Sequence, residues 1–495
     1  MAEPPAQIRM ARPMQDAADP RGRHTCLCLT SSRMPYSKLV ACRHCDALYR
    51  KPRLLRRQSA RCSRCGTALY RENAAQLDRI CAITVAALVT FIIAQSFPII
   101  ELDANGITSQ SSLLGALVVL WREGMQSVAS MVFCATFLFP LIEMVALLYV
   151  LLPLRQGIVA PGFKLVMKAL RFVRPWGMLE VFMVGILVTI VKLVSIARVI
   201  PETALFAFAA LTLMLAVVAA FDPRGLWDLV DALRARAADG SSPADLPGTP
   251  SQHHQHHQHR PRADAGEPSH ITAREAGLDC CHVCGKLEPQ QPHAHNRRCT
   301  RCDAPMHTRR PDALRRTWAL LSAAAILYIP ANVLPIMNTA TLAHDRGDTI
   351  LSGIVHFWLT GEWLIATVVF VASIMVPMLK LSALALLALT SQRRSQWRSA
   401  ERTTLYRIVE FIGRWSMLDI FVIALTVSLV RFGSFGVVTA GPGAIAFGSV
   451  VILTMLAAMQ FDPRLIWDPV PGATQRPTQR PMQDTKEYTK EHAND

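Results

Sequence analysis

Nowhere does the chain carry the glycine-rich GxxxxGK[ST] loop that cradles nucleotide phosphates, and nothing else in it resembles a nucleotide site. Work drawn from ATP bound to this chain is thereby excluded. The first forty residues are rich in Pro, Arg and Ala and lack the apolar core of a secretory signal peptide. The run from Ile80 onward is therefore expected to act as the first membrane-targeting segment. Charged residues make up only 18% of the chain, against 51% apolar, a balance that soluble proteins of this length rarely show. The apolar excess belongs in lipid.

Uncharged or nearly uncharged runs near the length needed to cross about 30 Å of hydrocarbon extend over 80–100, 126–154, 176–194 and 203–221 in the first half. In the second half they extend over 318–337, 363–389, 415–438 and 442–461. Eight spans are expected, four in each half. Basic residues then give the orientation. Residues 155–174 hold Arg155, Lys164, Lys168, Arg171 and Arg174 with no acid, and 391–414 hold six arginines against Glu401 and Glu410, whereas 101–123 and 338–362 hold only Arg122 and Arg346. By the positive-inside rule both termini and everything between the two sets of spans are expected on the cytoplasmic side. The net charge of +16 thus reads as orientation and contact with anionic lipid rather than as nucleic-acid binding.

What the chain does have, it has twice. Cys42-Arg43-His44-Cys45 is closed by Cys62-Ser63-Arg64-Cys65, and Cys281-His282-Val283-Cys284 by Cys299-Thr300-Arg301-Cys302, with sixteen and fourteen residues between the pairs. At an almost constant offset Trp121, Gly124 and Pro140 match Trp358, Gly361 and Pro377. Likewise Trp176-Gly177-Met178-Leu179-Glu180 matches Trp415-Ser416-Met417-Leu418-Asp419, Lys192 matches Arg431, and Phe221-Asp222-Pro223-Arg224 matches Phe461-Asp462-Pro463-Arg464. A duplicated module explains such a series. An even number of spans per module makes the copies parallel, which puts any shared site at their interface near the midplane.

The expected fold class is an all-α polytopic membrane protein of two tandem parallel repeats, each a small zinc-ribbon-like β module followed by a four-helix transmembrane bundle. The domains read as a disordered arm (1–40), ribbon module 1 (41–75), bundle 1 (76–231), a disordered His-rich linker (232–275), ribbon module 2 (276–312), bundle 2 (313–468) and a disordered tail (469–495). Within bundle 1, Glu101 to Gly124 is read as an apolar interfacial or re-entrant helix, or else as a loop helix packed on the bundle, and Ile350 to Trp358 repeats it. Phe163, Val166, Met167, Leu170 and Val173 share one helical face, expected to lie on the inner leaflet. Prolines 98 and 335 are expected to end their spans.

Two CxxC turns supply four thiolates, the ligand set of a closed tetrahedral site. Cys42, Cys45, Cys62 and Cys65, and again Cys281, Cys284, Cys299 and Cys302, are expected to hold one structural Zn each. Iron in the same sulfur shell and a redox dithiol are the alternatives, the dithiol weakened by the lack of a βαβ pattern around it. Six ionisable residues fall within the spans, where charges usually face an interior or a wet path. Glu143 and Lys380 occupy equivalent positions with opposite sign and are expected to pair across a pseudo-two-fold. Glu180 and Asp419 lie in the cytoplasmic third of their spans. Lys192 and Arg431 lie twelve residues further on, ~18 Å along a helix, where snorkelling to the headgroups competes with function.

The doubled order of two CxxC pairs and four spans, with Ile329-Pro330-Ala331-Asn332-Val333-Leu334-Pro335 in the second bundle and Phe-Asp-Pro-Arg closing each, resembles the paraquat-inducible protein A (PqiA/LetA) family. The resemblance runs from Cys42 to Asp468. It implies a non-enzymatic protein of the bacterial inner membrane that works beside a periplasmic MCE-domain partner, loading or receiving phospholipid or similar lipid for passage between membranes and so supporting the envelope. A membrane-anchored zinc or redox stress sensor and a passive scaffold are the competing readings.

Overall fold

The computed structural model describes residues 8–10, 39–51, 59–71, 77–104, 107–122, 124–194, 198–238, 271–291, 297–341, 344–429 and 437–468. From the N-terminus, β1 (Ile8–Met10) precedes the hairpin β2 (Leu39–Ala41) and β3 (Leu48–Arg50), then β4 (Ser59–Arg61) and β5 (Ala68–Arg71). Helix α1 (Leu77–Ser96) leads to β6 (Ile100–Ala104) and β7 (Ile107–Ser111), then α2 (Leu113–Arg122) and α3 (Gln126–Phe133). A π-turn at Cys134–Leu138 joins α3 to α4 (Phe139–Arg155), which leads on to α5 (Phe163–Val173), α6 (Leu179–Val194), β8 (Arg198–Pro201), α7 (Thr203–Ala219) and α8 (Arg224–Ala238).

After β9 (Leu278–Cys280) and β10 (Leu287–Pro289) come α9 (Ala313–Val333), β11 (Met337–Thr341), β12 (His344–Asp348), α10 (Ile350–Leu359) and α11 (Trp363–Phe370). A second π-turn, Val371–Met375, opens α12 (Val376–Gln392), and the chain continues through α13 (Ser399–Trp415), α14 (Leu418–Leu429), β13 (Val437–Ala440) and α15 (Pro442–Gln460). The chain is mostly helical, and among the described residues it also carries five small sheets, three at the cysteine modules, where β structure is expected, and two beyond the span ends, where it is not.

Against the expected eight spans, five stretches are long and apolar enough to cross a membrane, or six if α7 and α8, bent by 56°, count as one. The five are Leu77–Ser96, Gln126–Arg155, Phe163–Val191, Ala366–Gln392 and Pro442–Gln460. The expected span 203–221 counts only as that bent pair, and two others fall short for separate reasons. Helix α9 has 21 residues, but Arg315, Arg316 and the polar turn around Pro330 and Asn332 dilute its apolar run. Helix α14 is described for only 12 residues, and 430–436 lie outside the described residues. Val89, Ile92, Leu213, Ile326, Leu364 and Leu379 are exposed on the outer faces, an apolar belt far larger than soluble proteins leave bare.

The span ends derive from proline. Pro98 and Pro335 have no N–H to continue a helix, and the chain turns extended at Leu334. Beyond each proline the sequence predicts helix alone, and there the structure adds strands. β6 pairs antiparallel with β7 and β8, Ile100 facing Ser111 and Pro201. β11 does the same with β12 and β13, Met337 facing Asp348 and Ala440. The short helices α2 and α10 then appear where expected. α2 buries Leu113, Ala116, Leu117 and Leu120 in the core and leaves Leu114, Val118 and Trp121 outside.

The two π-turns sit at equivalent places, one residue before the pair Phe139-Pro140 or Val376-Pro377. A proline ring clashes with the carbonyl four residues back. Widening the preceding turn relieves the clash, and the Phe139 and Val376 N–H groups reach back to the carbonyls of Cys134 and Val371.

Both halves share one apolar core. At its centre Phe182 of α6 meets Phe421 of α14 edge to face, centroids 5.5 Å apart. Gly185 permits the approach, because a Cβ there would stand 3.2 Å from the Cβ of Phe421. The stretches expected to be unstructured have ordered ends. Ile8–Met10 of the arm pairs in parallel with β4, α8 runs on to Ala238, and Thr272 bridges to Ala47. The His-rich run and the tail from Pro469 lie outside the described residues.

Candidate metal centres and the chamber beneath them

Each CxxC closes a tight turn in which the first Cys N–H and carbonyl are both used. In the first pair Cys42 N donates to Ala47 O at 2.9 Å and Cys42 O accepts from Asp46 N at 2.9 Å, and in the second Cys62 N donates to Thr67 O and Gly66 N to Cys62 O, both at 2.8 Å. Positive φ at Asp46 and Gly66 lets the chain double back. Cys281 with Gly285 and Lys286, and Cys299 with Asp303 and Ala304, repeat the arrangement. The turns aim their thiols at a common point. Cys42 and Cys65 Sγ lie 3.4 Å apart and Cys45 and Cys62 3.5 Å; Cys281–Cys302 and Cys284–Cys299 are both 3.5 Å.

All eight cysteines are buried, none is in a disulfide, and in each group the four sulfurs lie within 4.8 Å of one another. A tetrahedral ion with metal–sulfur bonds of about 2.3 Å needs sulfurs roughly 3.8 Å apart. Both sets fit a metal ion, as the sequence predicts, and both are closed, with no position for a substrate. In the first, Tyr49 Oη approaches Cys62 Sγ at 3.1 Å and Thr67 Oγ1 approaches Cys65 Sγ at 3.1 Å. His44 is no ligand: its Nδ1 is 2.9 Å from Thr67 Oγ1. Burial, helped by Arg43 and Arg407, holds His44 down at about 3, and burial with Arg464 does the same for His282.

Docking of the two centres is crossed. Each ribbon directly precedes its own bundle in the chain, yet the apolar cluster of the first packs against the second half, with Lys51 paired to Asp228 of the first half. Trp467 joins its apolar cluster, Arg64 stacks on Trp467 at 4.4 Å, and Arg407 donates to Cys65 O. Arg309 grips Asp46 at 2.9 Å and Asp468 at 2.6 Å. Burial pushes the Asp46 carboxyl up, against the pull of Arg309 and Arg464.

The second centre shares a cluster with Ile80, Leu147, Phe163, Met167 and Trp227 of the first half. Arg301 meets Asp228 and Asp231 at 2.7 and 2.8 Å, and Lys168 donates to Asp303 O at 3.2 Å. This cluster also corrects the expectation for α5. Its apolar face is the predicted one, but protein covers it, with Phe163 edge-on to Trp227 at 4.8 Å. The two ribbons touch each other as well, through Leu48 N to Ile271 O and Ala273 N to Asp46 O.

Toward the membrane the halves part around a cavity of about 700 Å³ lined by Glu143, Glu180 and Lys380 with Arg171, Arg174, Arg224, Arg310, Arg407 and Glu410. The structure thus gathers three of the predicted charges, but it does not form the predicted pair. Glu143 is held by Arg174, Nε to Oε1 3.5 Å. Lys380 is buried, its Nζ without a hydrogen-bond partner among the described residues.

The sequence alignment of the halves explains the difference. Trp176 matches Trp415, so Arg174 matches Gly413. A Cβ at Gly413 would stand 3.3 Å from Lys380 Nζ. The second half has moved its cation from the α13 side to α12 and left a glycine in the vacated space. Arg174 was legible only as one of several orienting cations. Lys192 and Asp419 lie in α6 and α14 with side chains outside those described, and Arg431 lies outside the described residues.

The Paraquat-inducible protein A family model matches residues 77–231 and 314–470. "Intermembrane transport protein PqiA" of Escherichia coli K12 is 34% identical over 438 residues, 88% of this chain and 97% of that protein. "Lipophilic envelope-spanning tunnel protein A" of the same strain is 30% identical over 436 residues, 88% and 92%. A "Probable intermembrane transport protein" of Haemophilus influenzae is 29% identical over 445 residues, 88% and 98%. No solved structure matches.

Proposed function

Since the chain belongs to the paraquat-inducible protein A family, two of whose similar members are named intermembrane transport proteins, we propose that it is the inner-membrane component of an intermembrane lipid transport system. It loads or receives phospholipid or a similar lipid for a periplasmic MCE-domain partner. Two tandem parallel repeats, each a ribbon and a four-span bundle, lie with both termini in the cytoplasm. Each four-cysteine centre holds structural zinc, and its closed shell fits a clasp better than a sensor.

The observation that carries the reading is the charged cavity between the halves. Its polar walls open within a bundle whose outer face is apolar, the combination an amphipathic molecule needs. The outer part of the seam, around Phe182 and Phe421, is packed shut, so the shared site lies on the ribbon side rather than at the midplane. The β6–β8 and β11–β13 sheets at the opposite ends of the spans offer the partner a surface.

Purification from membranes with mass spectrometry of bound lipids and proteins is the direct test. A co-purifying phospholipid and an MCE-type protein are expected. A preparation that transfers no fluorescent phospholipid between vesicles with its partner present sinks the transport reading. In that assay Glu143→Gln and Lys380→Met are each expected to reduce transfer at least about tenfold, against a passive scaffold, which would tolerate both.

A further inference from the structure

A second cavity, about 560 Å³, lies between the two four-cysteine centres and the helices below them. It shares Arg43, Arg171, Arg224 and Arg310 with the cavity that holds Glu143 and Lys380. These four residues therefore ring a throat between an outer chamber under the ribbons and an inner one inside the bundle. They come from four separate pieces of chain: the first CxxC turn, α5, the start of α8, and the segment before α9. Asp222 and Glu410 are the acids in the shared wall, too few to neutralise four guanidinium groups.

Other arginines nearby are consumed by folding, as Arg309 and Arg301 are by their aspartates. The contrast is sharpest within the repeated Asp-Pro-Arg turn. In both copies the Arg N–H donates to the Asp two residues earlier, at 3.0 and 3.1 Å. Arg464 then spends its side chain on Asp462 at 3.2 Å and on His282 at 2.8 Å. Its counterpart Arg224, like Arg43 and Arg171, has no carboxylate within ion-pair distance among the described residues. Arg310 gives one Nη1 bond, to the Met459 carbonyl, which leaves its charge unneutralised; like charges converging on one void are costly, and an anion relieves that cost. Guanidinium forks match the paired oxygens of a phosphate. Lys380, which also lines the inner cavity and whose buried Nζ has no hydrogen-bond partner among the described residues, adds a further cation to the same wall.

We propose that the throat formed by Arg43, Arg171, Arg224 and Arg310 is a phosphate-binding site. The phosphate belongs either to a lipid headgroup entering from the bundle or to a soluble phosphate compound entering from the ribbon side. The lipid source rests on the transport reading above, while the phosphate site itself does not.

The test uses full-length protein in detergent, stripped of bound lipid, titrated calorimetrically with pyrophosphate and with dihexanoyl phosphatidic acid. Binding of either is expected, weakening as salt is added and falling about tenfold for Arg171→Gln and for Arg224→Gln. Lys164→Gln, on the exposed side of α5, is expected to change nothing. Pyrophosphate alone binding assigns the soluble source, the lipid alone assigns the headgroup, and both together assign a phosphate site that accepts either. Should Arg171→Gln fail to fold, Arg171→Lys keeps the charge without the fork and is expected to give a smaller loss. No binding of either probe, or binding that all these variants share, overturns the proposal. Phosphate binding in a protein that transfers no lipid leaves the throat standing and sinks the transport reading; transfer unimpaired by a throat that binds neither probe does the reverse.

Discussion

Around the Arg174 guanidinium, three carbonyls at the end of α7 accept hydrogen bonds, Val218 at 3.1 Å, Ala219 at 2.6 Å and Phe221 at 2.8 Å. Val218 O also accepts from Phe221 N at 3.1 Å, whereas the Ala219 and Phe221 carbonyls lie where helical donors run out, so Arg174 caps α7 while Nε faces Glu143. Glu143→Gln removes a charge and keeps the shape, whereas Arg174→Met strands a buried carboxylate and uncaps a helix. Arg174→Met is expected to destabilise by about 3–5 kcal/mol and Glu143→Gln by much less, read as thermal unfolding in detergent; equal losses contradict the assignment. In the second half, Lys380→Glu with Gly413→Arg rebuilds the arrangement of the first half. The pair is expected to be more stable than the sum of the single changes, by about 1 kcal/mol or more. Additive losses show that Gly413 does not stand in for Arg174.

Helices in this chain meet where small residues let backbones touch. A Cβ on Gly441 would lie 2.1 Å from Pro335 O, and one on Gly443 2.6 Å from Leu334 O. Both obstacles are backbone, so neither can swing aside. Gly441→Ala is therefore expected to prevent the joint between α9 and the start of α15 from forming, seen as loss of folded protein after detergent extraction. Gly353→Ala, where nothing lies within 4 Å, is expected to be neutral or slightly stabilising within α10. Recovery of Gly441→Ala at the level of Gly353→Ala would mean that the two segments are not in contact. The strands at the far ends have a local signal in one case only: Asn105-Gly106 between alternating residues is a hairpin signature, and the apolar stripe of α2 just beyond it outweighs that signal. Leu342-Ala343 in the second half offers no such cue.

Across the whole molecule, each ribbon packs its apolar cluster on the opposite bundle, while Lys51 to Asp228 and His282 to Arg464 also tie it to its own half. Losing the first centre should loosen α13 and the Trp467 segment, and losing the second should loosen α5 and α8. Hydrogen exchange is expected to rise around 403–410 in Cys42→Ser and around 163–173 and 226–231 in Cys281→Ser; the opposite assignment refutes the crossing. Chelation strong enough to empty both centres is expected to expose both sets at once and to lower the unfolding temperature. Metal analysis by mass spectrometry then identifies the ion, with two zinc per chain expected.

Local chemistry determined much of this protein from sequence alone. Thiol spacing marked both four-cysteine groups, apolar run length marked most of the candidate spans, and proline marked where α1 and α9 stop. Each of these is a property of neighbours along the chain. Which cation faces Glu143, which bundle a ribbon covers and which arginines go unpaired depend on segments far apart in the chain meeting in space. A charge in the sequence looks the same whether a carboxylate, a helix end or an empty throat awaits it. Only packing decided that the Arg464 side chain would be spent on Asp462 and His282 while that of Arg224 meets no carboxylate among the described residues.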